Sequence, residues 1–244
     1  MVKPKFSVFD AVVYALKTVL DNFRLFFLTT LAYMGTTFVI LLPFYLLLIP
    51  FFKALVNLNI FSAGQNITGP ELIAQMREAI LPLLYKFSPI LILIFLIMIA
   101  AMLALMFGFI RLALTLHDTG SASVALLFSE VKKFPKILGA WFLYLLIVSI
   151  GLLLFVVPGL YISFRIMFFP YFIVDKNSTS IESLKQSWRI TQGQMWPLFA
   201  VLMVIGLVSA VAGPFILFLG IPFAIMVMVY VYRKLLKSTP ELMS

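Results

Sequence analysis

Arg165 is the residue whose chemistry and setting stand out, because it is the one charge between Lys136 and Asp175. A guanidinium inside a membrane span is costly and marks a functional site by default, here one for an anion or a phospholipid head group in a polar cleft. A plainer reading also fits. The predicted span Leu160 to Val174 holds about 15 residues, roughly 22 Å at 1.5 Å per residue, so neither end is far from an interface. Arg165 would then snorkel to the interface, or donate to carbonyls freed where Pro170 interrupts the helix.

His117 and Asp118 fall beside Thr119-Gly120, where a helix is expected to stop, and His117 reads as a helix-end cation. A proton relay would need buried titratable partners. The nine acidic residues, Asp10, Asp21, Glu71, Glu78, Asp118, Glu130, Asp175, Glu182 and Glu241, all lie outside the predicted spans. No carboxylate pair, Gly-rich phosphate loop or Ser/His/Asp arrangement has usable context, and there is no cysteine. Neither a metal, a cofactor nor an enzymatic reaction is therefore expected.

The chain of 244 residues is 64% hydrophobic and 11% charged, against about 45–50% and about 25% in ordinary soluble domains. A mean hydropathy of +1.15, with 26 Phe, 9 Tyr and 3 Trp, suits a chain whose solvent is hydrocarbon. The net charge of +9 does not indicate nucleic acid, because the basic residues lie between apolar runs and not on a solvated face with polar readers. They read as topology determinants beside an anionic leaflet.

Apolar runs predict an all-α membrane protein with about six transmembrane helices: Leu25 to Phe52, Pro89 to Ile110 and on towards Leu116, Ile137 to Val157, Leu160 to Val174, Met195 to about Gly213, and about Phe215 to Tyr232. The third and fourth meet at Val157-Pro158-Gly159, a turn signal. With a cytoplasmic amino terminus, all of the 18 Lys and Arg except Lys53, Arg77, Lys86 and Arg165 fall on the cytoplasmic side. The positive-inside rule therefore predicts both termini in the cytoplasm.

Short amphipathic helices are predicted between the spans. Their apolar stripes are Phe6, Phe9, Val13, Leu16, Leu20 and Phe23; then Val124, Leu127, Val131 and Phe134; then Ile181, Leu184, Trp188 and Thr191. In the third, Leu184, Lys185, Trp188 and Arg189 are the residues expected to grip the interface, and Thr179 with Glu182 reads as a capping box. Ser7, Ser123 and Ser180 open similar motifs that reach Pro43, Pro158 and Pro214 at nearly equal distances. This spacing predicts a single polytopic domain over 1–244, built of three parallel repeats of interfacial helix plus membrane hairpin, at about 6–117, 121–176 and 179–237.

The first repeat alone carries an extracytoplasmic insertion, about 53–88. Thr68, Pro70 and Glu71 would start an amphipathic helix there, with Leu72, Ile73, Met76, Ile80, Leu83, Leu84 and Phe87 as its apolar face and a kink at Pro82. Small residues at fourfold spacing, Ala100, Ala104 and Gly108 and then Gly206, Ser209, Ala210 and Gly213, predict close helix approach within the chain or between protomers.

From Gly108 to Phe199 the chain resembles the YciC-like prokaryotic inner-membrane proteins and the membrane domain attached to some glycerophosphodiester phosphodiesterases. The resemblance rests on Val157-Pro158-Gly159-Leu160-Tyr161 through Arg165 to Val174-Asp175, then Ser183-Leu184-Lys185-Gln186-Ser187-Trp188-Arg189 and Gly193 to Phe199. It implies a prokaryotic cytoplasmic membrane, a six-helix unit and no catalytic residue, since an attached phosphodiesterase is a separate soluble domain. The expected role is non-enzymatic, with membrane lipids or other amphiphiles bound or moved. A small-solute permease and a structural or assembly subunit, with a homo-oligomeric or membrane-protein partner, are the alternatives.

Overall fold

The computed structural model describes residues 6–57, 69–211 and 216–242. Among these there is no strand, and helix follows helix. The elements are α1 (Val8–Asp21), α2 (Phe23–Asn57), α3 (Gly69–Thr119), a 3-10 segment (Val124–Lys133), α4 (Phe134–Leu154), α5 (Val156–Ile166), α6 (Phe169–Lys176), α7 (Ser180–Ile190), α8 (Met195–Val211), a π turn (Ile216–Gly220) and α9 (Ile221–Lys237).

Among the described residues five stretches are long and apolar enough to cross a membrane: Phe23–Pro50, Ser88–Thr119, Val124–Leu154, Val156–Lys176 and Phe218–Lys237. The chain is therefore an all-α membrane protein. The remaining expected span, the fifth, is α8, whose 17 residues reach that length only together with α7, from which α8 bends by 102°.

Two compact units emerge, one of Met1–Met34 with Leu103–Ser244 and the other of Gly35–Met102. The second consists of the adjoining parts of α2 and α3, where the Phe44 and Phe95 rings lie 6.4 Å apart. The insertion expected at 53–88 is not a separate interfacial helix. Residues 53–57 continue α2, and 69–88 form the first turns of α3, a helix of 51 residues. Pro43 and Pro50 sit inside α2, and Pro82 and Pro89 inside α3, where each removes one backbone bond but does not end the helix. Thr68 and the side chains of Glu71, Leu72, Met76, Ile80, Leu83, Leu84 and Phe87 lie outside the described residues, as does Pro214; Ile73 is exposed.

The three short segments begin at side-chain caps. The Ser7 hydroxyl accepts from the Asp10 N–H (3.3 Å), Ser123 from Ala125 (3.4 Å) and Thr179 from Glu182 (3.4 Å), each satisfying a donor that the first turn leaves orphaned. The capping box is half formed, since the Glu182 carboxylate accepts from Gln186 (3.1 Å) and does not reach back to Thr179. In α1 the small residues Ala11 and Ala15, with Val19, are buried, and α1 lies on α9. Most of the predicted stripe, Phe9, Val13, Leu16, Leu20 and Phe23, faces outward, while Phe6 is buried. That arrangement leaves bulky apolar groups for lipid.

The middle segment winds as 3-10, not α, and this changes which side chains point inward. At three residues per turn, positions i and i+3 eclipse, so Leu127 and Glu130 are both buried and Glu130 pairs with Lys133 at 2.8 Å. Val131, on the predicted apolar stripe, is exposed instead.

Between α4 and α5 the turn is one residue, the extended Phe155 (φ −162°, ψ 149°), two residues before the predicted position. Pro158 falls in the first turn of α5, where its missing N–H costs nothing. A Cβ on Gly151 would lie 2.9 Å from the Gly159 Cα, and one on Gly159 2.7 Å from the Leu152 nitrogen, so the hairpin closes only because both positions are glycine.

A Cβ on Gly108 would stand 1.8 Å from the Leu127 carbonyl oxygen, whereas one on Gly206 would meet nothing within 4 Å. Gly108 thus seats the 3-10 segment on α3. Gly108→Ala is expected to lower the stability of the detergent-solubilised protein by about 1–3 kcal/mol through overpacking. Gly206→Ala should stay within about 0.5 kcal/mol. Equal melting temperatures for the two variants would contradict this packing.

Candidate functional site

Arg165 lies in the last turn of α5, one residue before its end, and two turn residues, Met167 and Phe168, separate α5 from α6. Such a break frees backbone groups, and α7 supplies their partners. The Ser187 hydroxyl donates to the Arg165 carbonyl (3.0 Å) and accepts from the Phe168 N–H (2.9 Å), and the Thr191 hydroxyl donates to the same carbonyl (2.9 Å). Ser183, Ser187 and Thr191, spaced by four, form the buried face of α7 together with Leu184 and Ile190. Lys185 and Arg189 are exposed.

This docking places the Trp188 ring against Arg165. The guanidinium carbon lies 4.5 Å from the Trp188 ring centre and 5.8 Å from that of Tyr161, whose ring meets Trp188 edge-on at 6.0 Å. Arg165 is 4% exposed, and its Nε is buried with no hydrogen-bond partner. Among the described residues no carboxylate pairs with it. Nor does it donate to carbonyls near Pro170, as one sequence reading expected; its own carbonyl is the group that gains partners.

Magnitudes show why this matters. A cation over an aromatic ring gains about 2 kcal/mol when desolvated, while an ion taken out of water without a partner loses several. The two rings alone do not offset the burial. What the guanidinium lacks is an anion, and its planar fork is shaped to hold a phosphate or carboxylate with two parallel bonds. The ring of Phe164, the residue before Arg165 on α5, meets that of Phe199 on α8 at 6.1 Å.

A second group of charges, Asp118, Asp175 and Arg233, gathers at the ends of α3, α6 and α9. Arg233 Nη1 and Nη2 bond the two Asp175 oxygens at 2.7 and 2.8 Å, its Nε donates to Asp118 at 3.0 Å, and its Nη2 also pairs with Asp118. The Tyr232 hydroxyl donates to Asp175 at 2.9 Å. Next to this knot the Tyr14 hydroxyl and His117 Nδ1 are 2.6 Å apart. Burial is the largest cause raising the Tyr14 pKa, which keeps it a neutral phenol. His117 is therefore paired with α1 and is not simply a helix-end cation.

Sequence reasoning named Asp118 and His117 without partners and missed Arg233 and Asp175. Of the predicted interfacial set, Trp188 joins Arg165, Leu184 is buried, and Lys185 and Arg189 are exposed. Ser187 and Thr191 had a signal in their fourfold hydroxyl spacing. The groups that they cap could not be read from it.

Helices long and apolar enough to span, a buried guanidinium with no carboxylate partner among the described residues, and a charged knot at the helix ends together define a multi-pass membrane protein. Residues 70–241, well over half of the chain, match the family described as a domain of unknown function, DUF7847. The protein belongs to that family. No curated protein and no solved structure matches the chain.

The knot ranks its own members. Asp175 is 16% exposed and accepts three bonds, whereas Asp118 is 42% exposed. Asp175→Asn is expected to cost about 1.5–3 kcal/mol, as for hydrogen bonds to a charged group, and Asp118→Asn under about 1 kcal/mol. Denaturation in detergent, with helicity followed by circular dichroism, would read the difference; the reverse order would contradict it.

Proposed function

We propose that this protein is a non-enzymatic membrane protein that binds, and holds or moves, anionic phospholipids or similar amphiphiles, with Arg165 receiving the head group. The observation that carries the reading is the buried Arg165, stacked on Trp188 and without a counter-ion among the described residues. Tyr161 lies 5.8 Å from the guanidinium and is partly exposed, as is Phe199 on α8, and such aromatic groups suit acyl chains. A phosphate there supplies the missing charge, and the rings suit the boundary between head groups and hydrocarbon.

The membrane is the cytoplasmic membrane of a prokaryote, with both termini inside. The uneven distribution of Lys and Arg and the resemblance to YciC-like inner-membrane proteins support this. Ser129 and Ser238 are exposed and serve as reporters, whereas Ser178 is 6% exposed and hydrogen-bonded to Gln186 (2.8 Å). Single cysteines at Ser129 and Ser238 are expected to resist an impermeant thiol reagent in sealed cells and to react after lysis. Reaction in sealed cells would reverse the orientation.

The binding reading is tested with Arg165→Lys and Arg165→Gln, with Arg165→Leu as a control for insertion. Lys keeps the charge and loses the two-pronged geometry. Both variants are expected to express and migrate like the parent yet retain less anionic lipid through mild purification. The binding lost is about 1–3 kcal/mol, measured by mass spectrometry of the bound lipid. Unchanged retention in both would leave Arg165 as an interface anchor.

A further inference from the structure

The α4–α5 hairpin is long enough to cross a bilayer, yet what lies beside it limits how deep it goes. We propose that α4 and α5 form a re-entrant hairpin, inserted from the side that carries α7, whose tip at Phe155 ends in hydrocarbon near the bilayer midplane and never meets the opposite aqueous phase. The partner of this surface is the acyl-chain region of the bilayer.

The first observation is the place of α7. Its Ser180 hydroxyl donates to the Lys136 carbonyl at the start of α4 (2.9 Å), and Ser187 and Thr191 hold the Arg165 carbonyl at the end of α5. The helix is thus fastened along the first part of α4 up to the level of Arg165. Over that length it exposes Glu182, Lys185 and Arg189, which with Lys176 and Gln186 line a polar cleft of about 550 Å³. Exposed charges of both signs belong in water or among head groups, so the charged face of α7 lies outside the hydrocarbon, while Leu138, Leu145 and Leu146 keep the outer face of α4 apolar beside it. Phe142, exposed on α4 in this layer, suits the interfacial zone, where aromatic side chains concentrate.

The second observation is the distance left over. From Arg165 back to Phe155 is ten residues, about 15 Å of helix at 1.5 Å per residue. A hydrocarbon core is about 30 Å thick. A hairpin whose base is held at head-group level by α7 therefore reaches about the middle.

The third is the construction of the tip. Leu153, Leu154, Phe155, Val156 and Val157 are 64 to 86% exposed and none is polar. A turn emerging into water would leave that surface hydrated at about 25 cal/mol per Å². Its backbone suits hydrocarbon as well. The single non-helical residue, Phe155, donates its N–H to the Gly151 carbonyl (3.1 Å) and accepts from the Gly159 N–H (3.2 Å), and Pro158 has no N–H to satisfy. Unpaired backbone groups are what lipid forbids. This turn has few.

The chain has no native cysteine, so single thiols at Phe155 and, as a second position, Leu153 report depth in the full-length protein reconstituted in phosphatidylcholine vesicles. Lys185→Cys marks the α7 side. The expected result is that neither tip thiol reacts with an impermeant maleimide from either side, while both react in detergent and Lys185→Cys reacts from one side. Nitroxides at Tyr161, Val157 and Phe155 should show a steadily rising ratio of oxygen to nickel-chelate collisions, with Phe155 at the bilayer-centre value. Three results would overturn the hairpin: tip labelling from the side opposite Lys185, which means a full crossing; tip labelling from the same side, which means no insertion; or high nickel access at Phe155. Lipid retention by the Arg165 variants does not enter this readout, so the depth of the hairpin and the head-group reading fail separately.

Discussion

The break between α5 and α6 is the constraint on which the rest of this molecule turns. A helix interrupted in an apolar setting exposes a carbonyl and an amide that no lipid can satisfy, and here one hydroxyl does both jobs. Ser187 gives its proton to the Arg165 carbonyl and takes one from the Phe168 amide, with Thr191 sharing the carbonyl. Those bonds fix where α7 lies. Its position brings Trp188 over the Arg165 guanidinium and sets charged residues alongside α4. The proposed anion site and the proposed depth of the hairpin are thus two readings of one backbone repair.

Much of the architecture was legible because hydrocarbon imposes a coarse rule. Twenty or so uncharged residues stand out in any sequence, and five of the six predicted runs correspond to stretches that are long enough to span. The three short segments were legible from their caps and periodicity. What failed were boundaries set by contacts. The one-residue turn at Phe155 depends on Gly151 and Gly159 meeting across the hairpin, and the Pro-Gly pair drew the prediction two residues along. The 3-10 winding of Val124–Lys133 buries Glu130 in place of Val131, which an α-helical stripe cannot anticipate. The long α3 absorbed a predicted interfacial helix because Pro82 and Pro89 do not end it.

At the candidate site the sequence showed the charge and missed its surroundings. Arg165 was conspicuous as an isolated charge, but whether it had a carboxylate partner depends on residues far away in the chain. Asp118, Asp175 and Arg233 are such a distant set, and nothing in their spacing announces that they meet. The Leu184-Lys185-Gln186-Ser187-Trp188 run was noticed as a pattern. Its physical content, hydroxyls for a broken helix and a ring for a cation, needed coordinates.

The charged knot also has a consequence in time. Arg233 is made 115 residues after Asp118 and 58 after Asp175, so during synthesis the two carboxylates wait at the ends of their helices without the cation that joins them. Helix α9, made after both, closes the circuit between α3 and α6. Until then the two carboxylates lack the guanidinium they share, whereas the bonds from Arg111 and Lys133 to the Val174 carbonyl (3.1 and 3.5 Å) join parts of the chain that are made earlier. A chain stopped before Arg233 therefore leaves Asp118 and Asp175 without the guanidinium that ties the end of α3 to that of α6.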